Sequence, residues 1–122
     1  MKVKLGQIVN SVEALNKVAQ QPMKAAASFR VAKNLKQLSE ELAVYEQSRG
    51  DLIRKYGKEN EEDGSFAIKP DSKELPLFQK EMNELLSVDV DLNGFKKIKL
   101  TQLSKCELSP QDMASIEFAI EE

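Results

Sequence analysis

The 122-residue chain contains no histidine, no tryptophan and a single cysteine. Without histidine there is no imidazole for general acid–base work, no nucleophile–histidine dyad or triad, and no histidine/cysteine zinc site. One cysteine cannot close an intrachain disulfide, so an oxidising compartment is not required. No stretch approaches the ~18 consecutive apolar residues of a membrane span. The opening MKVKLGQIVN has no long apolar core ahead of a small-residue cleavage site, so no signal peptide is expected and the expected location is the cytoplasm where the chain is made. Glycine and proline are scarce, at 5 and 4 residues, which leaves room for a long unbroken helix.

What is present is charge: 31% of residues are charged and 41% hydrophobic, a helix-leaning composition for about one domain. The net charge of −2 hides a split. Residues 1–58 hold 11 Lys/Arg against 5 Asp/Glu, net +6, and residues 59–122 hold 7 against 15, net −8. Halves of opposite sign suit docking on each other or on a second copy; a basic half also suits an anionic partner. A pI near 5.4, with no Lys/Arg cluster interleaved with aromatics, argues against a nucleic-acid surface.

Leu5, Ile8, Val12, Leu15 and Ala19 step by three and four, one face of an amphipathic helix expected from about residue 6. A start near Asn10, capped with Glu13, would instead leave Val3 and Leu5 in a short strand. Pro22 ends this helix and suits the first turn of the next. From there to Tyr56, Val31, Leu35, Leu38, Leu42, Tyr45, Arg49, Leu52 and Tyr56 keep a heptad-like spacing. A helix of that length, roughly 50 Å, exceeds a compact body of this size and calls for something to cover the seam, most simply a second copy.

Two groups on this helix are candidate ligand-binding residues. Arg30 and Lys33, with Lys36, lie opposite the seam, as a solvated face or as contacts for an anionic ligand. Arg49 interrupts the seam between Tyr45 and Leu52. It suits a snorkelling or register-setting ion pair, or a pocket in which Tyr45 and Tyr56 stack on a planar anion that Arg49 binds.

The acidic half begins after Gly57, a helix stop. The run KENEEDGS resembles half of a calcium loop, but the twelfth position falls on Pro70, so no metal site and no cofactor are expected. Phe66 and Ile68 alternate as a strand, and Pro76 opens a helix with Phe78, Met82 and Leu85 on its apolar face. In VDVDLNGFKKIKL, a hairpin around Asn93–Phe95 would set Val90 opposite Ile98, Asp89 opposite Lys99 and Asp91 opposite Lys97. Ser109-Pro110-Gln111-Asp112 starts a final helix that buries Met113, Ile116 and Ile120. Cys106, beside Glu107 and without a base, reads as a packing residue.

The stretches AAASFRVAKNLKQLSEELAVYEQSRGDLIRKYG, EEDG, FQKEMNELLSVDVDL and ELSPQDMASIEFAIEE, in this order, resemble a widespread family of small phage and prophage proteins. The resemblance implies a virus-encoded protein acting in a host bacterial cytoplasm or built into a virion, and supplies no catalytic residues.

The expected protein is therefore α+β and mostly helical. An N-terminal helical hairpin with one very long helix (1–57) joins an acidic portion (58–122) holding a small antiparallel sheet and two short helices. Its expected role is non-enzymatic binding or assembly as a homo-oligomer through the long helix, as a virion or morphogenesis component. The alternative is an anti-defence protein that binds a host immune effector or sequesters a nucleotide-type signal at a subunit interface.

Overall fold

The computed structural model describes residues Met1–Glu122. β1 (Lys2–Lys4) runs directly into α1 (Leu5–Ala19), and α2 (Ala25–Tyr56) follows as a 32-residue helix about 48 Å long. Then come β2 (Lys58–Glu59), β3 (Phe66–Ala67), α3 (Leu75–Leu86), β4 (Asp89–Asp91) and β5 (Ile98–Lys99). A 3-10 turn (Leu100–Leu103), α4 (Pro110–Ser115), a second 3-10 turn (Glu117–Ala119) and β6 (Ile120–Glu121) complete the chain. The protein is α+β and mostly helical, with the long helix as its spine. No helix is long and apolar enough to cross a membrane.

Both readings of the N-terminus hold in part. Val3 is in a strand, and α1 begins at Leu5, where the Lys4 N–H donates to Gln7 Oε1 at 2.8 Å. The buried face of α1 is Leu5, Ile8, Ser11, Ala14, Leu15 and Val18; Val12 is only half-buried and Ala19 is exposed. The face is rotated because α1 packs against both α2 and α4 and so buries a wider arc than one seam. Ser11, fully buried, donates its hydroxyl to the Ile8 carbonyl at 2.7 Å, which removes the cost of burying it. Pro22 does not open α2. Gln20 and Gln21 turn off the end of α1, the Gln21 N–H donating to the Val18 carbonyl at 3.1 Å; the link is extended at Lys24, its Met23 packs on the core, and the helix starts at Ala25.

The seam of α2 is packed by the chain itself as far as Tyr45; beyond it Leu52 and Tyr56 are half-buried and Arg49 is exposed. α1, α3 and β3 all pack on α2, with Lys55 of α2 bridging Glu81 of α3 at 3.3 Å. Val31, Leu38 and Tyr45 are buried in the same cluster as Val3, Val90, Leu92, Ile98, Leu103 and Ile116, so residues from both charge halves share one core. Gly57 closes α2. Its N–H donates to the Ile53 carbonyl at 2.7 Å, and a Cβ there would meet that oxygen at 2.5 Å and the Ala67 oxygen at 3.0 Å.

The expected hairpin between residues 88 and 100 does not form. The Asn93–Gly94 turn is present, with Gly94 at φ +73° and the Phe95 N–H donating to the Leu92 carbonyl at 3.3 Å. Its two arms, however, take other partners. β4 pairs antiparallel with β1 in the register Lys2 with Asp91, Val3 with Val90, Lys4 with Asp89. β5 pairs parallel with β6, Ile98 with Ile120 and Lys99 with Glu121. The physical reason lies in β1: Lys2-Val3-Lys4 complements Asp89-Val90-Asp91 position by position, apolar on the core side and opposite in charge on the wet side. Lys4 Nζ sits 2.7 Å from Asp89 Oδ1. The antiparallel β2–β3 ribbon is separate, so the strands form three two-stranded ladders rather than one sheet. The final helix ends at Ser115, and Ile120 enters β6 instead of extending the helical face.

Candidate functional site

The re-pairing of β4 has an electrostatic consequence. In a hairpin, Asp89 and Asp91 would have faced Lys99 and Lys97. With Asp89 on Lys4, and Asp91 opposite Lys2 and 3.6 Å from the N-terminal ammonium, those lysines have no carboxylate within ion-pair distance. Both line a cleft with Ala26 and Arg30 of α2, and Lys97 also borders a second depression with Glu117 and Glu122. The buried Asn34 Nδ2 donates to the Lys96 carbonyl at 3.0 Å, and Gln37 Nε2 donates to the Asn93 carbonyl at 3.0 Å. These two bonds strap residues 93–96 along the flank of α2 that carries Ala26 and Arg30. The result is a cleft of about 410 Å³ lined by Arg30, Lys96, Lys97, Lys99, Gln102 and Glu121, with Ala26 as a small wall.

Every lining side chain but Ala26 and Glu121 is a donor. Gln102 Oε1 is occupied by the Lys99 N–H at 3.1 Å, which leaves the amide NH2 to face outward. None of Arg30, Lys96, Lys97 or Lys99 makes an ion pair within 4.0 Å. Four cations facing one carboxylate is an unbalanced arrangement, and chemically it can do one thing well: hold an anion.

The residues singled out on α2 are distributed over different surroundings. Arg30 is half-buried in the cleft. Lys33 is exposed beside it, its ammonium 5.4 Å from the centre of the Phe29 ring. Tyr45 is buried in the core. Arg49 is exposed on the surface and lies 3.9 Å from Glu46 on its own helix, a weak pair. Tyr56 lies at the other end of α2, half-buried, in a depression of about 470 Å³ with Lys58, Lys69, Asp71, Lys73 and Glu74. The Lys55 ammonium is 5.0 Å from the centre of the Tyr56 ring, and Tyr56 and then Glu81 raise Lys55 above its ordinary value. Tyr45, Arg49 and Tyr56 thus share a helix face within one chain but stand in three different surroundings, the core, the open surface and the depression beside Lys58.

Lys97 and Lys99 escaped the sequence reading because the hairpin register assigned them carboxylate partners, and Lys96 because it fell beside the expected turn. The signal was the K-K-x-K run itself, but its charge balance depends on which strand claims Asp89 and Asp91.

In the acidic loop, Asp63 accepts from the Ser65 N–H at 3.0 Å and the Ser65 hydroxyl at 2.8 Å, which holds its carboxyl below the ordinary range. No group of three or more Cys, Asp or Glu side chains is arranged to hold a metal ion. Burial pushes the Cys106 thiol up from its ordinary value, which favours the unreactive protonated form. Comparison of the chain with protein-family models, with curated proteins and with solved structures gives no match.

Proposed function

We propose that the protein is a non-enzymatic phage binding and assembly protein that works as a homo-oligomer, in the virion or in its morphogenesis. The observation that carries this reading is the outer face of α2. There Phe29 and Val44 stand 63% and 62% exposed, on a stripe that continues through Lys33, Lys36 and Glu40. Apolar side chains aligned opposite a buried face are what contact with a second helix would cover. Because the seam is packed within the chain through Tyr45, the stripe is the better surface for self-association along this part of the helix.

Two copies laid antiparallel about a point between residues 36 and 37 would set Phe29 of one against Val44 of the other, and Lys33 against Glu40. The two Lys36 side chains would then meet near the axis, a repulsion that tempers the pairing. Light scattering tests this. The expected result is a dimer or larger species that Phe29→Asp reduces to monomer. Lys33→Glu alone should weaken it, the Lys33→Glu/Glu40→Lys double variant should restore it, and Lys36→Ala should strengthen it. A monomeric mass at the highest attainable concentration, or absence of the chain from purified virions by mass spectrometry, would remove the assembly reading.

A second reading, a phage antagonist of host defence that captures an immune effector or a nucleotide-type signal, is favoured by the unpaired cations around Arg30. Its test is plaque formation by a phage lacking the gene. Plating that drops only on defence-carrying hosts supports it, and equal plating on all hosts removes it.

A further inference from the structure

We infer that the cleft between α2 and the 96–99 segment is a binding site for a compact ligand carrying two or more adjacent phosphate-type groups. Three features carry this. First, the cations come from two distant segments, Arg30 on one side and Lys96, Lys97 and Lys99 on the other, so a ligand seated between them is held from opposite walls. Second, the wall is pre-set rather than assembled on binding. The Asn34 and Gln37 amides fix the 93–96 backbone, β5 is held by β6, and the Lys99 N–H orients Gln102. Binding then orders only the lysine ends, and less of the interaction is spent on ordering the site. Third, a planar guanidinium with separate ammonium groups suits a ligand with several oxygens to share. Arg30 can take two oxygens of one group while the lysines act as point charges on the next.

The cleft volume, about 410 Å³, is that of a small molecule and not of an extended chain. A nucleic-acid backbone would need the cationic track to continue, but acidic side chains interrupt it: Glu121 lies in the cleft, and Glu40 and Glu41 follow on α2. Glu121 is the one lining group that opposes a phosphate. It also supplies the one acceptor for a hydroxyl or amino group on the rest of the ligand.

The site serves the second of the two readings above but does not depend on it, nor on self-association. Phe29→Asp should change the oligomer mass and leave anion binding intact.

The test is titration of the full chain with tripolyphosphate at low ionic strength, followed by amide chemical shifts and calorimetry. Adenosine triphosphate and a single-stranded oligonucleotide form parallel arms. The expected result is saturable binding of one tripolyphosphate per chain, with shifts confined to residues around Arg30, Lys97, Lys99 and Gln102, weakening as salt is added. Lys97→Glu, on an exposed side chain that carries no packing, should weaken binding about tenfold, and Arg30→Gln several-fold. Glu121→Gln should tighten it, a sign that a merely destabilising substitution would not give. Equal affinity for tripolyphosphate and the nucleotide means that phosphate alone is recognised; tighter nucleotide binding means that the base or sugar is read as well. Both outcomes support the site. Shifts spread over the surface, affinity that rises with oligonucleotide length beyond that for tripolyphosphate, or no effect of Lys97→Glu would overturn it.

Discussion

Asn34→Ala is the most informative single perturbation of the wall that carries the lysines. Asn34 is 4% exposed and its amide donates to the Lys96 carbonyl, 3.0 Å away. Alanine removes the bond and leaves the Lys96 carbonyl without its partner, a cost in the range of about 1–3 kcal/mol. The expected loss, at the middle of that range, is about 2 kcal/mol. For a chain of 122 residues, with an unfolding entropy of ~2.1 cal/mol/K per residue, that lowers the melting temperature by roughly 8 °C. The assay is urea unfolding, with a lower midpoint at unchanged slope, joined to amide exchange at Lys96 and Lys97, which should accelerate. Gln37→Ala is the control. Its bond to the Asn93 carbonyl is equally short but more exposed, so water replaces it and the loss should stay under about 0.5 kcal/mol. If the two variants lose the same small amount, burial of the Asn34 bond is not what anchors the segment and the reasoning fails.

Other predictions test the rest of the fold. Gly57→Ala should destabilise by roughly 1–3 kcal/mol in urea unfolding, because a Cβ 2.5 Å from the Ile53 oxygen forces a backbone shift that outweighs the ~0.5–1 kcal/mol gained from a stiffer unfolded chain; a neutral or stabilising result would refute the close approach. The Lys17 ammonium, 3.0 Å away, and the Ser109 N–H hold the Asp112 carboxyl below its usual 3.8. A carboxyl lowered by folding stabilises above its unfolded value and stops doing so as pH falls through its folded value. The stability gap between the natural chain and Asp112→Asn should therefore be steady from about pH 7 to 5 and close below about pH 4; a gap that persists in acid would exclude the charge as its source. Iodoacetamide should alkylate Cys106 more slowly in the native chain than in urea, and equal rates would contradict its burial.

Much of the helical frame was legible because period and stop signals agreed locally. Val31, Leu38 and Tyr45 fall inward as their spacing requires, and Ser109-Pro110 with Asp112 caps α4, the Asp112 N–H donating to Ser109 Oγ at 3.1 Å. The strand pairing was not legible. Val90 can face Ile98 or Val3 with equal apolar fit, and Asp89 can meet Lys99 or Lys4 with equal charge fit, so alternation alone leaves two solutions. What separates them is that β1 offers two lysines around one valine in one continuous match, while β5 finds Ile120 far along the chain. The candidate site inherited this ambiguity. Arg30 and Lys33 were visible as a helix stripe, whereas the lysines that complete the cleft became available only once another strand had taken their carboxylates. Asn34, a polar residue within an apolar face, was a cue of a different kind, since such a group is tolerated inside only when it meets a partner.

The two ladders flanking the Asn93–Gly94 turn also govern the order in which the chain can finish folding. One arm waits for residues 2–4 and the other for residues 120–121, so neither closes through a local hairpin. The α1–α2 pair needs only a five-residue link and can form early, whereas joining Lys2 to Asp91 confines nearly the whole intervening chain and pays its loop-closure entropy late. The rejected hairpin and the β1–β4 ladder draw on the same two carboxylates, Asp89 and Asp91, so one can form only at the expense of the other.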